Sequence, residues 1–173
     1  MSDISIAWSP ALGRGDWVQV GTRLQAGNEL ANAVMLSLFT DRIALVDDVI
    51  PDGTNDPRGW WGDDAAAPIG SRLWLLSRAK QTTETLARAQ DYIAEALQWL
   101  IDDGIVARLD ITVEWTRQSQ LGAQVTAYRS DGTNIALNFA SAWAAASPAP
   151  SLSSVTPDPA IFAANYVDAG YGV

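Results

Sequence analysis

From Arg108 to Thr116 the chain alternates without a break: Leu109, Ile111, Val113 and Trp115 on one side, Arg108, Asp110, Thr112 and Glu114 on the other. A period of two predicts a strand with one buried face. Leu121 to Arg129 repeats the pattern after a four-residue connection. Asp131-Gly132 then signals a hairpin, and Asn134 to Ala140 carries Ile135, Leu137 and Phe139 on one face. The three segments predict an antiparallel meander.

Upstream the period lengthens. Leu86, Ala89, Ile93, Leu97, Leu100 and Ile101 recur at helical spacing, behind a cap at Thr82 or Thr83 and ahead of a C-terminal stop at Gly104. A second helix spans Glu29 to Phe39 with Asn28 as N-cap, and it is apolar enough to be largely buried. Ser71 is expected to cap a short helix through about Arg78, holding Leu73, Trp74, Leu75 and Leu76. At the start, Ile4, Ile6 and Trp8 alternate with Asp3, Ser5 and Ala7, and Asp16 to Val20 follows a Pro/Gly turn as a second strand. Amphipathic helices packed on a small antiparallel β-meander define an α+β fold.

Two stretches lack periodicity. Residues 40–68 form a connection with Pro51, Pro57, Pro68, Gly53, Gly59 and Gly62, and they carry Trp60-Trp61. Loops this long are usually functional or disordered, and the Trp pair argues for ordering against something. From Ala144 onward Ala, Ser and Pro dominate, and only Ile161, Phe162, Tyr166, Val167 and Tyr171 are prominent apolar positions near the end. The expected organisation is therefore one domain, 1–143, with an extended arm, 144–173, that orders against a neighbouring subunit.

Composition narrows the chemistry. The 173 residues include no Cys and no His, which removes disulfides, Cys/His zinc sites and Ser-His-Asp or Cys-His catalysis. The net charge of −9, with one Lys and ten scattered Arg, opposes binding to a phosphate backbone. No apolar run reaches the ~20 residues of a membrane helix, and the N-terminus has no signal-peptide pattern, so a soluble setting without membrane insertion is expected. No cofactor is implied.

Several residues invite a functional reading beside a structural one. Trp60-Trp61 is an interface anchor, a plug for the domain's own core, or a stacking platform for a sugar. The loop acids Asp47, Asp48, Asp52, Asp56, Asp63 and Asp64 suggest calcium. An EF-hand register from Asp48 fails, because Ile50 falls on a ligand position and Gly59 where the bidentate Glu belongs. Arg42, Arg58 and Arg72 either pair with loop aspartates or reach a carboxylate on another subunit. Asp102 and Asp103 sit at a helix C-terminus, against the dipole, and call for an Arg such as Arg108 or a cation from a partner. Paired carboxylates could run a cell-wall glycosidase, but Glu84 and Glu95 belong naturally to a helix surface and Glu114 to the outer face of a strand.

The ordered set of segments resembles a known family. Leu36-Ser37-Leu38-Phe39-Thr40-Asp41-Arg42, Ile50-Pro51-Asp52-Gly53, Arg58-Gly59-Trp60-Trp61-Gly62-Asp63, Ile69-Gly70-Ser71-Arg72-Leu73-Trp74-Leu75-Leu76 and Ala96-Leu97-Gln98-Trp99-Leu100 are together similar to the Mu-like phage baseplate wedge family, over roughly residues 3–140. That family looks related to T-even phage wedge proteins and to a baseplate subunit of type VI secretion systems. The resemblance implies a non-enzymatic subunit of the virion's tail baseplate, assembled in the host cytoplasm. Its partners would be other wedge proteins and the first ring of the tail sheath, in a hetero-oligomer. Wider relatives carry a Glu-Pro-Arg segment before the first meander strand. Here Asp103 stands in for the acid and Arg108 for the base, and the proline is missing. The resemblance also implies that the last strand, with Ile135, Leu137 and Phe139, offers its edge to a sheath arm; its own arm or the N-terminal strand could cover it instead.

Overall fold

The computed structural model describes residues 3–9, 14–27, 29–64, 68–117 and 120–144. Strand β1 (Ile6–Ser9) pairs antiparallel with β2 (Arg14–Trp17), and β3 (Gln19–Val20) with β4 (Arg23–Leu24). The strand expected over 16–20 is thus split at Val18. Its amide donates to Ser5 C=O at 2.9 Å and its own C=O accepts from Gln25 at 2.8 Å, so Val18 joins the two hairpins instead of extending one.

Helix α1 (Glu29–Phe39) is buried along Leu30, Val34, Met35 and Leu38. Its single Asn is buried too. Asn32 donates from Nδ2 to Ile4 C=O at 2.7 Å and accepts the Ile6 amide on Oδ1 at 2.9 Å, clamping the N-terminal strand to the helix. A buried amide bonded on both sides satisfies its polar atoms and specifies register. Asn28, the expected N-cap, lies outside the described residues.

Ser71 does not cap an α-helix as expected: its oxygen accepts the Leu73 amide at 3.4 Å, its O–H donates to Leu38 C=O at 2.6 Å, and only a 3₁₀ turn, Leu73–Leu76, follows. All four residues of that turn are buried. With every side chain drawn inward, the segment serves as a core plug, and a continuing helix would turn part of it outward.

Helix α2 (Thr83–Asp102) keeps the expected face. Thr85, Ala89, Tyr92, Ile93, Ala96, Leu97 and Leu100 are buried, and Thr82 Oγ1 accepts the Thr85 amide at 3.1 Å as N-cap. The helix stops at Gly104 (φ 69°), where a side chain would be strained, and the amides of Ile105 and Val106 both return to Leu100 C=O.

The meander is β5 (Arg108–Arg117), β6 (Gln120–Tyr128) and β7 (Asn134–Ala144), ordered β5-β6-β7. Its register sets Ile111 opposite Val125 and Val125 opposite Leu137, so one apolar face meets the helices. Phe139 is in edge-to-face contact with Phe39 of α1, ring centroids 5.8 Å apart. β7 runs past the expected Ala140, because an irregularity in its pairing with β6 resets the register between Ala123/Phe139 and Leu121/Trp143.

Candidate functional site

The long connection is a built object. Its ends are tied where the Ser71 amide donates to Thr40 C=O at 2.9 Å and the Arg42 amide to Ser71 C=O at 3.0 Å. Gly70 (φ 98°) permits this approach: a Cβ there would lie 2.5 Å from Thr40 O. Across the loop, the Ala44 amide donates to Pro57 C=O at 2.9 Å.

Arg72 organises the rest from beneath. Its Nε and Nη2 donate to Oε2 of Glu95 at 3.0 and 2.9 Å, and its Nη1 donates to both carboxylate oxygens of Asp48 at 3.2 and 3.0 Å. The guanidinium also stacks over Tyr92, 4.7 Å from the ring centroid. Burial works to lower the Arg72 pKa, but the hydrogen bonds to Asp48 and Glu95 outweigh it and raise the value. Asp48 passes the order on: its Oδ2 accepts the Leu45 amide at 2.8 Å, and its own amide donates to Leu45 C=O at 3.0 Å. The turn at residues 45–48 is therefore pinned to α2 through one guanidinium. Arg42 approaches the same Glu95 at 3.8 Å, which makes Glu95 a half-buried partner of two arginines and not the plain helix-surface residue expected.

Arg58 (φ 53°) holds the far limb. It pairs with Asp41 at 2.9 Å and Asp52 at 3.8 Å, and lies 4.6 Å over the ring of Trp74. Trp74 is buried, its Nε1 donating to Arg42 C=O at 2.8 Å. Backbone and side-chain hydrogen bonds from Thr54 hold the Asp52 carboxyl below its ordinary range.

This framework carries apolar side chains outward. Val46 is 103% exposed, Val49 82% and Trp61 93%, while Trp60 is exposed at 42%. The two indoles are tilted neighbours with centroids 5.5 Å apart, and Trp60 folds over Gly62. Neither ring fills the core; Trp74 does. The exposure of Val46 and Val49 was not readable from residue type, which on its own points inward.

Other predicted positions fall elsewhere. Ile135, Leu137 and Phe139 face the core, which leaves β7 its outer face and its edge to meet a partner. At the edge the backbone geometry is specific. The hairpin closes with the Arg129 amide on Thr133 C=O (2.8 Å) and the Gly132 amide on Arg129 C=O (3.1 Å). Alternation from that closing pair turns the N–H and C=O of Asn134, Ala136 and Asn138 away from β6. Among the described residues no strand pairs with that edge, and the N-terminal strands lie in sheets of their own. The opposite edge, β5, is overlain by α2, with Gln90 Nε2 donating to Ile111 C=O at 3.3 Å.

Arg108 does not serve Asp103. It pairs with Asp110 at 3.1 Å and stacks on Tyr128 at 4.2 Å, while Asp102 accepts from Gln98 at 2.9 Å. The reason is strand geometry: Arg108 opens β5 opposite Tyr128 and points along the outer face of the sheet. Phe162 and Tyr166 lie outside the described residues. Among the described residues, hydrogen bonds push the carboxyls of Asp52 and Asp131 down, opposite to what a general acid needs.

The distinctive features of the described residues are a pinned loop with exposed apolar side chains and a strand edge that no described strand pairs. Residues 30–134 match the family described as Phage protein GP46. The chain is 44% identical over 144 residues to Baseplate protein gp46 of Escherichia phage Mu, which covers 83% of this chain and 98% of that one. It is 36% identical over 145 residues to Mu-like prophage FluMu protein gp46 of Haemophilus influenzae, with 83% and 98% covered. The chain belongs to this family of Mu-like phage baseplate proteins. Its place is the tail baseplate of the virion.

Proposed function

We propose that the chain is a structural subunit of a contractile-tail baseplate wedge, without chemistry of its own, and that it joins the inner baseplate to the first ring of the tail sheath. The observation that supports this reading is the β7 edge, which no described strand pairs. No described strand pairs with either outer edge of the meander; on β5 the Ile111 C=O is taken by Gln90 of α2, while on β7 the outward backbone groups have no such partner strand. Proteins generally protect such edges unless a partner strand completes them. On this reading a sheath arm adds to β7 and bonds to the backbone of Asn134, Ala136 and Asn138.

Ala136→Pro tests it. Proline is tolerated where the missing N–H faces outward, so the β6–β7 pairing survives while an edge donor is lost. The variant is expected to fold, as read by circular dichroism, and to enter baseplates that fail to hold sheath. Asn138→Ala, which alters only an exposed side chain, should behave as wild type. Normally sheathed particles carrying Ala136→Pro would rule out strand addition at this edge.

A further inference from the structure

The apolar residues at the tips of the long loop have a chemistry of partner written into their surroundings. Between Asp41 and Asp64 the chain carries seven Asp against two Arg, a net charge of −5. Arg72 and Arg58 neutralise the acids beneath the loop, Asp48, Asp41 and Asp52. Asp47 stays outside this arrangement: it is exposed, next to Val46, and forms no ion pair among the described residues. The loop thus exposes the apolar side chains of Val46, Val49 and Trp61 within an acidic segment, with Asp47 exposed beside Val46. Its shape is set in advance by the Arg72–Asp48 pair and the Ala44–Pro57 bond, so little ordering entropy remains to be lost on docking.

We propose that this loop is a docking surface for another protein of the baseplate, one that presents an apolar hollow for Val46 and Trp61 ringed by Arg or Lys. The proposal rests on the structural role inferred above and names the chemistry of one partner. An anionic lipid surface would be repelled by the loop's charge. A sugar would stack on Trp61 but leaves Val46 and Val49 unused. A basic-rimmed protein face accounts for all three apolar residues and for the unpaired acid beside them.

The test uses whole phage particles assembled with the full chain. Val46→p-benzoylphenylalanine is incorporated, the particles are irradiated, and the crosslinked peptide is identified by mass spectrometry. The expected product joins position 46 to a different virion protein, within a few residues of Arg or Lys. Val46→Asp and Trp61→Ser each change an exposed side chain, so folding is retained. Each should lower the chain's content in purified particles at least about tenfold, the scale of an interface hot spot. Asp47→Lys should also weaken incorporation, and an unchanged level would remove the basic rim from the proposal.

Crosslinks confined to the chain itself or to a second copy of it would overturn the proposal, as would normal incorporation of both Val46→Asp and Trp61→Ser. Sheath held normally by Ala136→Pro particles, together with the expected crosslink, would sink strand addition and leave the docking loop standing. Absence of the wild-type chain from particles would sink both.

Discussion

The helix–meander core and the 40–64 loop are built on opposite rules. In the core, Ile93, Leu97, Leu100 and Val125 are fully buried while Asp110, Glu114 and Gln124 face water. In the loop, charge goes inside: the Arg72–Asp48 pair is only 15% and 12% exposed, and Val46, Val49 and Trp61 stand out in solvent. The core minimises apolar exposure, as folding requires. The loop gives up that gain and uses ion pairs to hold a shape, as the docking role proposed above requires.

The sharpest way to separate the two regions is to damage each in its own currency. Leu97→Ala opens a cavity at a fully buried position and should cost about 2–5 kcal/mol in urea denaturation, with one transition for the whole domain. Arg72→Met keeps volume and removes the cation, leaving Asp48 and Glu95 without their shared partner. A fully buried broken pair costs more, but Glu95 keeps some contact with solvent, so the expected loss is ~1–3 kcal/mol. Hydrogen exchange should show the Leu45 amide losing protection while α2 keeps its own; equal loss in both would erase the distinction between the regions.

Val46→Asp should move stability by no more than about 0.5 kcal/mol, since its side chain touches little. A large loss there would mean that the loop tip packs on its own domain. The smallest effect concerns acid. Asp52 and Asp131 have folded-state pKa values depressed by hydrogen bonds from Thr54 and Thr133. A depressed carboxyl contributes stability that is present above its unfolded pKa and lost as pH falls through the folded one. Both are exposed, so the change should stay within their turns. An acid titration by NMR should displace the Thr54 and Thr133 amides below the ordinary carboxylate range, and displacement at higher pH would reverse the assigned sign.

Much of the core was legible in advance. The alternation from Leu109 to Trp115 placed the apolar face of β5, and the spacing from Leu86 to Ile101 placed that of α2. The Asp131-Gly132 hairpin also forms where expected, with Gly132 at φ 85°. The Mu-like resemblance, carried by the Arg-Gly-Trp-Trp-Gly-Asp and Gly-Ser-Arg-Leu-Trp-Leu-Leu strings, agrees with the family found. Less legible were the polar fixings. Asn32 reads as an ordinary helix residue until Ile4 and Ile6 are seen against it; a lone Asn in an otherwise apolar helix was the available clue. Ser71 resembles a helix cap because its oxygen can accept a nearby amide, and it takes that of Leu73 only at 3.4 Å, while its O–H is committed to Leu38 C=O, 33 positions away. Arg108 looked matched to Asp103 by proximity in the chain, and strand direction gave it to Asp110 instead.

Periodicity in the chain settles which faces of helices and strands are apolar, since backbone geometry repeats within a few residues and the side chains follow it. What lies beyond that reach was decided in three dimensions. Arg72 could have met any of the chain's 20 acids; only the folded chain brings Asp48 and Glu95, 24 and 23 positions away, into its fork. The burial of that charge and the exposure of Val46 and Trp61 follow from the same long-range packing, and no local pattern encodes them.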